Sequence, residues 1–259
     1  MSQDVAGFCF HEVTDDPRST GFQRRGAAPF RLTPRAFNDH LEAIASSPWS
    51  PCRVAELDRD AAARHLLLTF DDGGRSALDA ADELSRRGWQ GHFFIVTSRI
   101  GTSTFLDAAG IRYLHGCGHV IGSHSHTHPD IFRELSPAAM LAEWRTSAGL
   151  IADLLGAPCE TASVPGGEIS PAVLETGAAA GFRFLFTVEP RLRPWMVRDC
   201  RVFGRYMVKQ GTPPSRVGQL ARFRGWTGAL AARRLKAVAR RSVPPLYRYV
   251  VSQRAREAF

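Results

Sequence analysis

One stretch of this chain with the residue types for acid–base or metal chemistry is TFDDG at positions 69–73, in which Asp71 and Asp72 are adjacent. An apolar run of strand length precedes the two acids. Since successive side chains of a strand point to opposite faces, one carboxylate can bind a metal ion while the other faces a substrate. Two unpaired acids this close repel each other unless a cation or a proton lies between them. The alternative is a pair of solvated turn acids ahead of a helix.

A second stretch with this potential is HSHTH at positions 124–128. His124 and His128 are four residues apart, so one helical turn would place both imidazoles on one side and leave His126 pointing elsewhere. Two histidines and one carboxylate with open coordination positions form a hydrolytic metal site. A single histidine in a loop is often unremarkable, but this cluster together with the acid pair favours a metal site.

Short apolar runs alternate with helical patterns along the chain, and these elements must position the two stretches. Strands are predicted at 5–10, 65–70, 92–97, 119–122, 161–165, 182–187 and 202–208. Helices are predicted to begin at Thr33-Pro34, Ser76, Asp107, Ser136-Pro137 and Ser170-Pro171. This alternation predicts an α/β fold of βαβ units around a parallel sheet, and about seven strands favour a barrel. The carboxyl ends of barrel strands carry the active site, and both stretches follow a predicted strand.

The two stretches together resemble the motifs of the polysaccharide deacetylase family, also called the NodB-homology domain or carbohydrate esterase family 4. That family has TFDDG followed by H-[ST]-x-x-H, and the resemblance extends over roughly residues 5–208. It implies a distorted (β/α)7 barrel, with Asp71 as general base and Asp72, His124 and His128 as metal ligands. Zinc is the metal that the resemblance implies, although a His₂Asp set also accepts cobalt, nickel or iron.

The third motif of the family, R-x-P-[YW]-G, is incomplete in this chain. The matching stretch is SVPGG from Ser163, in which Pro165 and Gly167 fit the pattern and Gly166 replaces the aromatic residue. The resemblance implies that these three residues line the substrate and that the Gly166 N–H serves the oxyanion. Ser163 stands where the family has the arginine that holds the base. Arg75 or another arginine would have to take that role.

The general acid of the family is normally a histidine near the C-terminus, yet none of the nine histidines follows His128. Residues 8–13 read FCFHEV and resemble the Y-H-x-V opening of the permuted branch, typified by deacetylases of poly-N-acetylglucosamine. In that branch the N-terminal strand supplies the acid, so the resemblance implies this role for His11. The alternative is a histidine that only caps a strand end. The fourth motif has no clear counterpart, and Glu189 is a candidate pocket residue in that region.

Positive charge is concentrated in the C-terminal part of the chain. Of 33 basic and 25 acidic residues, positions 211–259 hold 11 basic and one acidic, and positions 1–210 have a net charge of −2. We therefore predict a catalytic domain at 1–210 and a basic helical extension at 211–259, with a helix from about Trp226 to Arg241 and a second element at 246–251. The extension is interpreted either as a solvated helix packed on the domain or as a surface for an anionic membrane or a lipid-linked sugar.

The composition excludes several other classes of protein. No run of 18 apolar residues and no secretory signal is visible, so neither a spanning helix nor export is expected. Five cysteines without a CxxC pair fit a reducing, cytoplasmic compartment, with peripheral contact at the inner membrane face as a further expectation. No nucleic-acid-binding module is recognisable, and no nucleic-acid partner is expected.

The resemblance implies a metal-dependent hydrolase that removes N-acetyl groups from an amino sugar or saccharide, in polysaccharide or glycoconjugate biosynthesis. One alternative uses the same chemistry to deformylate a lipid-linked formamido sugar. Another is a non-catalytic member of the fold that binds sugar or metal, which the incomplete third motif and the missing fourth motif favour. Turnover separates the enzymes from the binding module, whereas metal content does not.

Overall fold

The computed structural model describes residues 3–60, 63–167, 169–242 and 253. Its strands are β1 Asp4–Phe10, β2 Glu12–Val13, β3 Arg31–Leu32, β4 Arg64–Phe70, β5 His92–Ile95, β6 Val120–Ser123, β7 Thr161–Ser163, β8 Phe184–Phe186, β9 Trp195–Val197, β10 Cys200–Phe203 and β11 Arg205–Met207. Its helices are α1 Pro34–Ala45, α2 Ala77–Arg86, α3 Ala108–Gly116, α4 Pro137–Leu155, α5 Pro171–Ala179, α6 Pro214–Ala221 and α7 Trp226–Ser242. The element predicted at 246–251 lies outside the described residues.

Parallel strands form the wall of a barrel, in the order β11-β1-β4-β5-β6-β7-β8-β10, and β9 runs antiparallel beyond β10. β10 and β11 are one stretch of chain, interrupted only at Gly204. Its first half pairs with β8 and its second half pairs with β1. Residues 200–207 thus join the two edges of the sheet. Counted as one strand, they bring the parallel wall to seven strands within the described residues, which confirms the predicted α/β barrel.

Gly204 lies at the point where this last strand changes partners. A Cβ there would lie 2.6 Å from the backbone nitrogen of Arg191 and would collide with the carbonyl oxygen of Glu189. A larger residue would therefore push the seam of the barrel apart. The next residue along the seam is Arg205, whose side chain enters the barrel.

The alternation of side chains along β4 determines what faces the inside of the barrel. Leu68 and Phe70 belong to the cluster between the barrel and its helices, whereas Leu67 belongs to the cluster inside the barrel. The two-residue period of the strand therefore turns Thr69 and Asp71 inward as well. A polar layer thus lies above an apolar floor at the carboxyl end of the barrel.

The helices begin close to where their capping residues predict. Side chains accept a hydrogen bond from the backbone N–H three residues later at Thr33, Asp107, Ser136 and Ser170. Ser76 precedes α2 without capping it, because its hydroxyl donates to Glu12 at 2.6 Å. The helix predicted from Ser76 therefore begins one residue later.

The C-terminal segment packs on the barrel through α6 and the start of α7. Val217 and Leu220 of α6 and Trp226 of α7 belong to the hydrophobic cluster between the barrel and its helices. The Trp226 indole N–H donates to the Leu220 carbonyl at 3.0 Å, and its ring lies 6.1 Å from that of Phe8. Leu235 of α7 is 73% exposed, so the helix does not bury all of its apolar side chains against the barrel. No described helix is both long and apolar enough to cross a membrane.

Candidate metal and acid–base site

The two acids of TFDDG lie directly after β4 and face different partners. The Asp71 N–H donates to the Phe10 carbonyl at 3.0 Å, which fixes the end of the strand against β1. Asp72 has a φ of 78°, in the left-handed region. A non-glycine residue costs of order 1–3 kcal/mol in such a conformation, and the surrounding structure must impose it. This turn directs the Asp72 carboxylate toward the histidines, while Asp71 stays inside the barrel.

Asp72, His124 and His128 form a cluster whose potential ligand atoms all lie within 4.8 Å of one another. The Asp72 Oδ1 is 3.4 Å from the His124 Nε2 and 3.8 Å from the His128 Nε2. The His124 Nδ1 lies 3.0 Å from the Ser163 carbonyl oxygen. A proton on Nδ1 would be donated there and leave Nε2 as the ligand atom. The donor set fits a divalent cation with coordination positions open to substrate and water.

A loop, and not the predicted helical turn, brings the two candidate ligand histidines together. Ser125 and His128 have left-handed φ values of 62° and 56°, and the Ser125 hydroxyl accepts the His128 N–H at 3.1 Å. Glu143 of α4 accepts the backbone N–H of His126 at 2.9 Å. The His126 ring turns away from the cluster, with its Nδ1 3.0 Å from the Thr97 hydroxyl. The four-residue spacing of the two histidines therefore reflects a tight loop, which side-chain hydrogen bonds hold in place.

An arginine that the sequence analysis did not identify holds Asp71. Arg205 of β11 is fully buried, and its two terminal nitrogens donate to the two oxygens of Asp71 at 2.7 and 2.9 Å. The same guanidinium donates to the hydroxyls of Ser163 at 2.7 Å and Thr69 at 2.8 Å. Its Nε donates to the Thr187 carbonyl at 3.1 Å. Arg205 thus stands in for the third-motif arginine, with Ser163 filling the space in between.

Arg75, the candidate named from the sequence, does not take this role. Its side chain is exposed and donates to the Ser103 carbonyl at 3.2 Å. A signal for Arg205 was present, because a charged residue interrupts the apolar strand predicted at 202–208 and arginine is almost never fully buried unless paired. The sequence could not show which carboxylate lay opposite.

The environment of Asp71 keeps its carboxyl group ionised. Burial alone would raise its pKa, but the charges of Arg205 and His124 and the Arg205 hydrogen bonds outweigh burial and hold the pKa of Asp71 well below its usual range. Three donors converge on Oδ2, namely Arg205, the Ser163 hydroxyl at 3.1 Å and the Cys9 thiol at 3.3 Å. Oδ1 accepts one hydrogen bond from the described residues and has a lone pair left.

His11 lies next to Asp71 at the end of β1. A ring nitrogen of His11, the Cys9 sulfur and an Asp71 oxygen all lie within 4.8 Å of one another. The His11 ring stacks on Phe30, with the centroids 4.7 Å apart. Burial lowers the pKa of His11, and no described residue hydrogen-bonds its Nδ1. The structure therefore brings the predicted acid beside the predicted base.

The SVPGG stretch forms a short 3₁₀ turn at Pro165–Gly167, at the carboxyl end of β7. Gly166 and Gly167 both have left-handed φ values, 60° and 65°. Arg233 of α7 donates to the Gly167 carbonyl at 3.0 Å and pairs with Glu189 at 2.9 Å. Glu189, the candidate pocket residue, is therefore engaged by the C-terminal helix. That helix fastens the turn that contains the predicted oxyanion donor.

A buried carboxylate supports the turn after the two acids. Glu12 of β2 accepts the Ser76 hydroxyl at 2.6 Å and the Gly21 N–H at 2.8 Å, and its side chain fills the space beside Gly74. Burial raises the pKa of Glu12 from 4.5 to about 7. Glu12 thus links the loop at 14–30 to the start of α2.

We expect Glu12→Gln to flatten the pH dependence of stability. Because the pKa of Glu12 is raised from 4.5 to about 7, the folded protein binds this proton more tightly than the unfolded chain. The stability that this bound proton contributes is present below pH 4.5 and is lost as the pH rises through about 7. The loss amounts to about 3 kcal/mol of unfolding free energy. Urea unfolding at mildly acidic and mildly alkaline pH measures it, with the exposed Glu175→Gln as control. Parallel curves for wild type and Glu12→Gln would contradict the expectation.

Comparisons with known proteins agree with this fold. A family model described as polysaccharide deacetylase matches residues 58–185. The IcaB structure from Ammonifex degensii has a TM-score of 0.69 and 18% identity, over 85% of this chain and 100% of that one. The deacetylase PplD of Streptococcus pyogenes has a TM-score of 0.69 and 16% identity, over 85% and 99%. A polysaccharide deacetylase from Bacillus cereus has a TM-score of 0.72 and 15% identity, over 85% and 69%. No curated protein matches the sequence.

Proposed function

Since this chain belongs to the polysaccharide deacetylase family, we propose that it is a metal-dependent hydrolase that removes N-acetyl groups from an N-acetylated saccharide. One observation carries the proposal. Asp71 is held ionised by Arg205 and adjoins the cluster of Asp72, His124 and His128. A base that is kept deprotonated beside a set of metal-binding side chains is an arrangement suited to metal-dependent amide hydrolysis.

The donor set supports a metal ion at this cluster and the role of base for Asp71. A divalent ion held by Asp72, His124 and His128, which we propose is zinc, would polarise the amide carbonyl and make the attacking water more acidic. Asp71 then takes the proton from this water. Oδ1 is the receiving atom, because three donors already engage Oδ2. The Arg205 fork holds the carboxylate in place, so little reorganisation accompanies the transfer.

The remaining residues act on the leaving group and on the oxygen that gains charge. His11, beside Asp71, donates a proton to the departing amine, so that acetate and a free amino sugar are released. The Gly166 N–H stabilises the negative charge on the former carbonyl oxygen. The Arg233 contact with the Gly167 carbonyl holds that turn in position.

The alternatives are separated by the product. The missing third-motif arginine was an argument for a non-catalytic member of the fold. Arg205 removes the physical basis of that argument, because it makes the same kind of contact to Asp71. A deformylase would use the same residues. Release of formate instead of acetate distinguishes that reaction.

The test is acetate release from N-acetylglucosamine oligomers by protein stripped of metal and then reloaded with zinc. We expect the stripped protein to be inactive and stoichiometric zinc to restore turnover, because in the proposed reaction the ion held by Asp72, His124 and His128 polarises the carbonyl and acidifies the water. Formate release from an N-formylated amino sugar is measured in parallel. Stoichiometric zinc binding with neither product released from either substrate would count against the enzyme.

A further inference from the structure

The Nε atom of a partly buried arginine near the metal cluster has no hydrogen-bond partner among the described residues. Among the described residues, seven buried side-chain nitrogen or oxygen atoms have no hydrogen-bond partner. They include the Nδ1 atoms of His11 and His128 and the Nε of Arg99. Buried polar atoms without partners are uncommon in proteins, and each calls for a physical explanation. Arg99 follows β5 in the 3₁₀ turn Thr97–Arg99, on the same end of the barrel as the site.

Phe22 connects Arg99 to the metal cluster. Its ring centroid lies 5.0 Å from that of His128, and the guanidinium carbons of Arg24 and Arg99 lie 4.9 and 5.8 Å from the same ring. The Gly21 N–H donates to the buried Glu12, so the residue before Phe22 is anchored. The two cations thus flank the ring of Phe22, which lies directly beside a metal-binding histidine.

The charges around the Phe22 ring do not balance. Arg24 pairs with Asp130 at 2.6 Å, whereas no described carboxylate pairs with Arg99. A guanidinium only donates hydrogen bonds and stays charged at any working pH. A ligand that pairs with Arg99 would therefore supply acceptor oxygens and negative charge, as phosphate and carboxylate do.

We propose that Arg99, with Arg24 and Phe22, forms a subsite for an oxyanion that the substrate carries beside the reacting acetamido sugar. This inference rests on the proposed deacetylase function and narrows its substrate class to anionic saccharides. The buried ring of Phe22 packs against His128 and supports the guanidinium of Arg99, which binds the oxyanion. The chemistry is shared by a sugar phosphate and a sugar carboxylate.

The experiment compares kcat/KM for three soluble probes: methyl N-acetylglucosaminide, N-acetylglucosamine 1-phosphate and N-acetylmuramic acid. We expect the zinc-loaded protein to prefer at least one anionic probe over the neutral one, with the advantage falling as salt increases. Arg99→Gln should lower kcat/KM for the preferred anionic probe about tenfold, through KM, because it removes a charge-assisted hydrogen bond. Turnover of the neutral probe should stay unchanged. The identity of the preferred probe tells phosphate from carboxylate.

Two controls keep the test specific. Arg99→Lys retains the charge and should keep part of the preference, whereas Arg86→Gln removes an exposed charge on α2 and should change nothing. If the protein turns over the neutral probe and turns over the anionic probes at the same rate as the neutral one, the subsite is overturned and the proposed function stays intact. Equal losses on all three probes in Arg99→Gln would also overturn it, since Arg99 would then act through Phe22 and His128. Inactivity on all three probes in a protein that deacetylates N-acetylglucosamine oligomers would overturn the subsite alone, whereas inactivity on the oligomers as well would remove the proposed function and the subsite with it.

Discussion

Asp71→Asn is expected to reduce acetate release by about a thousandfold or more, because an amide cannot take the proton that the attacking water must lose. The zinc content should stay stoichiometric, since Asp72 and the two histidines would hold the ion through atoms that this substitution does not touch. Acetate release and zinc content, measured on the same preparation, check both halves of the expectation.

The control for Asp71→Asn has to account for Arg205. Removing the carboxylate leaves a buried guanidinium without its counterion, which can destabilise the fold by about 3–5 kcal/mol. Circular dichroism melting defines a temperature at which the variant is folded, and activity is compared there. Asp79→Asn, an exposed acid on α2, is the matched substitution and should retain full activity. A folded, zinc-loaded Asp71→Asn protein with near wild-type turnover would eliminate Asp71 as the base.

Arg205→Lys is expected to lower kcat by about a hundredfold with little change in KM, because the base loses its position while the substrate contacts remain. The guanidinium makes five hydrogen bonds, to Asp71, Thr69, Ser163 and Thr187, and a lysine ammonium has only three donors and no planar fork. The loss of the bidentate geometry should also lower the unfolding free energy by about 3 kcal/mol. Steady-state kinetics and urea unfolding measure the two effects.

A charge relocation tests whether Arg205 acts by holding the base or only by filling the barrel. Ser163 Oγ lies 2.7 Å from the Arg205 guanidinium, so the two side chains share one space. Arg205→Ser should be almost inactive, and Arg205→Ser with Ser163→Arg should recover at least tenfold, because the arginine then enters from β7 as the third motif of the family has it. If the single and the double variant are both folded and equally inactive, position 205 matters for a reason other than holding Asp71.

The capping residues and the strand pattern could be read from the sequence because they depend on neighbours within a few positions. Thr33, Asp107, Ser136 and Ser170 cap helices as local chemistry requires. The period of two along β4 turns Asp71 inward whatever lies opposite. The candidate ligand set could also be predicted from the sequence, because each of its motifs is contiguous in the chain and residue type limits what a metal accepts.

The sequence alone thus determined the barrel class, predicted the acids and histidines of the candidate site, and placed His11 at the end of the first strand. Only the tertiary structure decided that Arg205 holds a carboxylate 134 residues away, that Arg233 reaches the turn after β7, and that Arg99 borders the metal cluster through Phe22. The physical reason is that these contacts form where strands meet at the barrel seam and where loops meet at its mouth. A single sequence states the charge of each residue but not the distance across a closed sheet.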